Sequence, residues 1–303
     1  MARHLIPLYA GVDIGGTRSK FGLVDANGHV LTDRIQPTSG ATADGFLAAL
    51  QSALDDCLRR SERTAADLRG IGIGVPGFTH AGRVESTWGF LPFMEDYPLT
   101  AEVEQRIGCP CFIDNDARAV GLAEARFGAG RACDRVVTLT LGTGIGFAHT
   151  RQACLVDDDP RCHMAGHIPI RDFDATCYCG LNGCLEQLCS ATALHQRAHA
   201  AGLPDAEAVI AAATPAAATL LTTYLRDLAR GLDTYCAVLA PELIILAGGL
   251  GCSLAPHLPQ LSTFLTSRPF AAYRCRLAVG ALHEQAGIVG AALLAHLHQQ
   301  GAP

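Results

Sequence analysis

Cys177-Tyr178-Cys179-Gly180-Leu181-Asn182-Gly183-Cys184-Leu185-Glu186 places three thiols within eight positions, ten residues after Gly166-His167. Gly180, Asn182 and Gly183 break any regular element, and the tight loop they favour can turn three sulfurs toward one point. Together with His167 the three cysteines make a Cys3His set, the composition of a closed tetrahedral zinc site. The competing reading is a turn of free thiols, since a chain with 13 cysteines clusters some of them by chance. Glu186 follows the last cysteine directly. A metal knot here would fix a carboxylate and an imidazole in place, which is what a polyhydroxylated ligand requires.

Around this stretch the chain reads as a globular protein. Its 303 residues favour two lobes over one. Apolar residues at 49% and charged residues at 17% exclude a disordered chain. A net charge of −6 without a long basic run argues against nucleic acid as a partner. The first ten residues lack the apolar run of a signal peptide, and no apolar segment reaches the length of a membrane span. Cysteines in such a chain are expected as thiols and metal ligands in a reducing compartment, hence a cytoplasmic location with no membrane partner.

The hydrophobic pattern predicts a strand over 8–13, a glycine turn at Gly15-Gly16-Thr17, a second strand over 18–25, an Asn27-Gly28 turn and a third strand over 30–35. Phe46, Leu47, Leu50, Leu54 and Leu58 recur at helical spacing, so 42–60 is a helix. Short strands follow at 71–75, ending at Pro76-Gly77, and at 112–113, then a helix over 117–127. The second half repeats the opening, with strands over 136–141 and 145–149 around Gly142-Thr143-Gly144. Helices over 192–200, 206–213 and 216–239, a strand over 243–247 ending at Gly248-Gly249, a strand over 277–279 and a helix over 287–298 complete it. Two related α/β lobes with a cleft between them are the expected architecture.

Asp13-Ile14-Gly15-Gly16-Thr17 joins two strands. Its glycines let backbone N–H groups approach an anion, and Thr17 adds a hydroxyl. Gly142-Thr143-Gly144 has the same form. Either alone is an ordinary hairpin; two of them, each opening a lobe, suit a triphosphate. No Walker-type spacing is present. Asp114-Asn115-Asp116 closes a strand and opens a helix, where spacing alone favours an N-cap.

Taken together, these motifs resemble the ROK family of sugar kinases and their repressor relatives, within the actin-like ATPase superfamily, over nearly the whole chain. The resemblance implies a two-lobed actin-like ATPase (ribonuclease H-like) α/β fold carrying a zinc-binding loop. It assigns 1–116 to a small lobe completed by the C-terminal helix 286–303, and 117–285 to a large lobe carrying the zinc loop 167–184. It implies ATP-dependent phosphorylation of a hexose hydroxyl, O6 by analogy, with Asp116 as general base and Mg2+ on the nucleotide. Sugar hydroxyls would be held by Gly77, Asn115, Asp116, His167 and Glu186. ATP and its phosphates would lie against Asp13, Gly15, Gly16, Thr17, Gly142, Thr143, Gly144, Gly248 and Gly249. Structural Zn2+ would be held by His167, Cys177, Cys179 and Cys184. A homodimer is expected from the family.

The spelling of 10–13, 141–148, 167–170 and 184–186 is closest to allose kinases, with glucokinase, fructokinase and N-acetylhexosamine kinase left open. Departures gather on the sugar side. Met164 stands where Glu-x-Gly-His is usual, and a Thr87-Trp88-Gly89-Phe90 segment lacks a frequent Asn. Arg118 replaces an Asn after Asn-Asp-Ala, and Asp157, Asp158 and Asp159 occupy an expected glycine-rich loop. These departures support a second reading, a weak or degenerate kinase acting as a sugar-binding regulator. The first strand begins near residue 8, so the resemblance to the DNA-binding repressors does not extend to their N-terminal helical domain.

Overall fold

The structure, a computed structural model, describes residues 6–38, 42–156, 160–266 and 275–301, with the backbone alone over 160–163 and at 266. The acidic run 157–159 singled out above lies outside the described residues. The chain divides into two compact units. Unit 1 comprises Met1–Ala123, Cys154–Arg161 and Glu284–Pro303; unit 2 comprises Glu124–Ala153 and Cys162–His283.

Unit 1 opens with the antiparallel strands β1 (Leu8–Ile14), β2 (Arg18–Asp25) and β3 (Val30–Pro37). The β2–β3 turn forms where Asn27-Gly28 predicts it. Gly28 takes φ +83°, and Asp25 Oδ1 accepts the N–H groups of Asn27 and His29, each at 2.9 Å. Helix α1 (Ala43–Arg60) is capped by Thr42, whose side chain accepts from Gly45 N, and buries Phe46, Leu47, Leu50, Leu54 and Leu58. Next come β4 (Leu68–Val75), the hairpin β5 (Phe78–His80) and β6 (Arg83–Ser86), α2 (Leu99–Ile107), β7 (Cys111–Asn115) and α3 (Asp116–Arg126). The sheet order is β3-β2-β1-β4-β7, with β4 parallel to both β1 and β7.

Unit 2 repeats the plan. β8 (Arg135–Leu141) and β9 (Ile145–Arg151) are antiparallel. Then follow α4 (Leu185–Cys189), α5 (Ala191–Ala200), α6 (Ala206–Ala211) and α7 (Pro215–Leu239). After α7 come β10 (Leu243–Ala247), α8 (Gly248–Ser253), α9 (Leu258–Thr266) and β11 (Arg276–Val279). β10 lies parallel to β8 on one side and to β11 on the other. An antiparallel hairpin extended by two parallel strands is therefore common to both units, the ribonuclease H-like pattern that the resemblance implies. The closing helix α10 (Ala286–Gln299) belongs to unit 1.

Each unit has its own apolar core. In unit 1, Val12, Ile14, Phe21, Leu23, Ile71 and Ile73 pack with the buried face of α1. In unit 2, Leu139, Leu141, Leu225, Leu228, Leu232 and Ile244 pack together. Helix α10 reaches the unit 1 sheet because glycine lies beneath it. A Cβ on Gly11 would stand 1.9 Å from Ile288 O, and one on Gly72 1.7 Å from Ala291 O. No helix among the described residues is long and apolar enough to cross a membrane.

Candidate functional site

β1, β4 and β7 run parallel as a trio, with Asp13 opposite Gly74 and Gly74 opposite Asp114. This register brings two carboxylates to one end of the sheet. A Cβ on Gly74 would lie 3.1 Å from Asp116 Cα, so the glycine lets the first turn of α3 close over β4. Gly287, in the first turn of α10, gives similar room to Asp13, since a Cβ there would meet Asp13 Oδ2 at 2.3 Å. Burial, and after it the neighbouring Asp13 charge, pushes the Asp116 carboxyl up to about 7; hydrogen bonds from the Ala117 backbone oppose the shift. Asp13 is also raised by burial, a shift that Lys20 counters and Glu284 reinforces. A carboxyl poised near neutrality is suited to accepting a proton at physiological pH.

Asn115 forms the N-cap that the spacing favours. Its Oδ1 accepts the N–H groups of Ala117 at 3.0 Å and Arg118 at 3.3 Å. Its Nδ2 donates to Gly77 O at 3.2 Å, which ties the turn after β4 to the head of α3. Gly77 holds φ +96°, and a Cβ on it would clash with Ser86 O at 2.2 Å. Arg118 is buried with its Nε 2.8 Å from Asp114 Oδ1.

Both glycine turns have the expected form. In the first, Gly15 N donates to Arg18 O at 3.1 Å, while Gly16 and Thr17 are exposed. In the second, Gly142 N donates to Gly144 O at 3.0 Å and Thr143 is exposed. Gly144 answers to a neighbour within the protein, because a Cβ on it would lie 2.6 Å from Glu186 Oε2. Gly248 takes φ +79° and passes close to Leu141 O, leaving Gly249 exposed at the start of α8.

The thiol loop closes on His167. Cys177 Sγ lies 3.5 Å from His167 Nδ1, Cys179 Sγ lies 3.5 Å from Cys184 Sγ, and all four donor atoms fall within 4.8 Å of one another. A tetrahedral zinc with Zn–S bonds of about 2.3 Å sets its donors roughly 3.8 Å apart, so the set has the size and chemistry for that ion. With Nδ1 turned to the sulfurs, His167 Nε2 points to Tyr178 Oη at 3.1 Å and Glu186 Oε1 at 3.7 Å. Glu186 Oε2 accepts the Ile145 N–H at 2.7 Å, which locks this buried carboxylate beside the second glycine turn.

Comparison with known proteins shows the family. The ROK family model matches residues 9–298. The chain belongs to the ROK family. The glucokinase of Thermotoga maritima is 31% identical, the match covering 93% of this chain and 95% of that one. Among solved structures, the ROK hexokinase of Thermus thermophilus superposes with a TM-score of 0.83 at 26% identity, covering 97% of this chain and all (100%) of that one. The ROK family glucokinase of Streptomyces griseus, solved with glucose and AMPPNP, gives 0.79 at 29% identity over 95% and 99% of the two chains.

Two buried carboxylates of this ROK protein escape sequence reading. Glu124, fully buried, accepts the N–H groups of Ala129, Ala281 and Leu282 at 2.9–3.0 Å, with Gly128 and Gly280 leaving it room. A glutamate on a helix at 117–127 reads as solvated; only the flanking Leu122, Ala123 and Ala125 hint at burial. Glu124→Gln replaces one acceptor oxygen with an amide that faces backbone donors. It is expected to lower the urea midpoint by the equivalent of about 3 kcal/mol; a shift below about 1 kcal/mol would remove the clamp. Asp227 on α7, also buried, takes a two-pronged contact from Arg171, Nε to Oδ1 at 3.0 Å and Nη2 to Oδ2 at 3.2 Å. Arg171 lies in the irregular segment leading into the thiol loop, where its carbonyl leaves no space for a Cβ on Gly183.

Proposed function

We propose that this ROK protein is an ATP-dependent hexose kinase in which Asp116 is the general base. The observation that carries the reading is the Asp116 carboxyl, raised to about 7 at the head of α3 in a family whose named relatives include glucokinases. The sugar hydroxyl, O6 in this reading, attacks the γ-phosphorus as its proton passes to Asp116. The new O–P bond forms, the bond to the β-phosphate oxygen breaks, and ADP leaves. Little covalent chemistry falls to the protein, so positioning and electrostatics supply most of the rate. Mg2+ accompanies ATP and neutralises charge on its phosphates. Asp13, Thr17 and Thr143 serve the metal and phosphates, with Gly15, Gly16, Gly142 and Gly144 shaping the turns. Gly248 and Gly249 serve the nucleoside side.

His167 and Glu186 hold sugar hydroxyls, with Gly77 and Asn115 beside the base. Asn115 already has one end of its side chain in the cap and the other on Gly77 O, so its part is chiefly to fix the turn that carries Asp116. Zn2+ held by His167, Cys177, Cys179 and Cys184 supplies rigidity: it fixes the tautomer and direction of His167.

Aldohexoses are the substrate class, glucose and allose first. The two differ in configuration at a single carbon, so one hydroxyl contact decides between them. Initial rates with allose, glucose, mannose, fructose, N-acetylglucosamine and N-acetylmannosamine rank the class, and a 6-deoxyhexose tests the acceptor position. Turnover of the 6-deoxy sugar would overturn O6. Met164 favours the regulator reading. That reading holds if sugars raise the melting temperature and none is phosphorylated.

A further inference from the structure

A hydroxyl of the protein already sits against the pair of groups assigned to sugar hydroxyls. Tyr178 Oη lies 3.1 Å from His167 Nε2, and Glu186 Oε1 lies 3.7 Å from the same nitrogen, which places the carboxylate beside the phenol. The tyrosine ring stands edge-on to the imidazole, centroids 5.0 Å apart at 85°. With zinc on His167 Nδ1, Nε2 would carry the hydrogen and donate to the phenol oxygen, leaving the phenol O–H to face the Glu186 carboxylate. One oxygen thus sits against the imidazole with the carboxylate beside it, the place that a sugar hydroxyl held by the same two residues would take.

We propose that Tyr178 is a specificity-determining residue that competes with sugar, its hydroxyl standing in for one sugar hydroxyl until it is displaced. The inference rests on His167 and Glu186 being sugar ligands. The rest of the side chain is built to leave: Tyr178 is 58% exposed, so its ring can rotate into solvent. The backbone beneath it need not move. Cys177 N donates to Leu181 O at 2.7 Å, Gly180 N donates to Cys177 O at 2.9 Å, and Thr176 bridges Asn182 across the turn. Only a sugar presenting a hydroxyl to both His167 and Glu186 replaces what the phenol gives up. The phenol thus sets a threshold on which hexoses enter.

The test is Tyr178→Phe, which keeps the ring and removes the oxygen. Sugar affinity, measured directly by calorimetry as well as through KM, is expected to tighten on the order of tenfold, because the competent form no longer shares its population with a capped one. Zinc content and KM for ATP should hold, which separates loss of the cap from damage to the loop. An unchanged or weaker sugar affinity with zinc retained overturns the proposal. If neither wild type nor variant binds any sugar, the assignment of His167 and Glu186 falls with it. If the wild type binds and phosphorylates sugar while the variant binds it equally well, the competitor alone is wrong.

Discussion

Asp116→Asn is expected to lower kcat for sugar phosphorylation by about a hundred- to ten-thousandfold, the range of a positioned general base. Nucleotide and sugar should still bind, because the Asn115 cap and the Gly74 contact that shape the head of α3 do not depend on the Asp116 charge. In the wild type, kcat/KM should climb with pH through about 7 as the carboxyl loses its proton.

The same group makes a second prediction, for stability. The native carboxyl is raised above its unfolded value, so its contribution to stability is full below about pH 4 and is lost as pH rises through about 7. Asparagine cannot ionise. In melts without ligands, Asp116→Asn should therefore be more stable than the wild type at pH 8 and equal to it near pH 4. Equal melting temperatures at pH 8 would mean that the carboxyl is not raised, even if activity is lost.

Cys179→Ser is expected to remove zinc and to loosen everything that the loop holds. Metal content should fall from one ion per chain to well below that by elemental analysis. Structural zinc sites add strongly to folding free energy. Here two apolar cores remain, so the expected loss is a fraction of that, about 3–5 kcal/mol or roughly 10 °C in melting temperature for a domain of this size. His167 loses the partner that fixes its ring, and sugar KM should rise by at least about tenfold. A variant that keeps its zinc, or a wild type that never holds any, would return the cluster to a turn of free thiols.

Much of the fold was legible because it depends on local chemistry. Helix 42–60 is visible in five apolar residues at helical spacing, and the structure places it at Ala43–Arg60. Strand 243–247 is an unbroken apolar run, and the structure buries all five of its residues. Elements whose signal is weak went unseen. Helix α2 buries only Leu99 and Val103, and its N-cap is Pro98, which has no side-chain cap bond. The β5–β6 hairpin turns through Ala81-Gly82 with both residues at positive φ, without the Asn-Gly that marks β2–β3. The site shows the same division. Asp116, the glycine turns and the thiol loop are local motifs and can be read directly. That Gly144 exists to make room for Glu186, that Asn115 clips the Gly77 turn, or that Tyr178 caps His167 are contacts across 38 residues or more, or depend on a side-chain direction. Spacing carries none of these.

The most direct test of a sugar kinase built on Asp116 is ADP release by the purified protein with ATP and Mg2+, with and without each sugar of the panel, run beside Asp116→Asn. Sugar-dependent release by the wild type that is lost in the variant is the predicted result. Sugar-dependent release that survives in Asp116→Asn would contradict the base, and no release with any hexose would contradict the kinase.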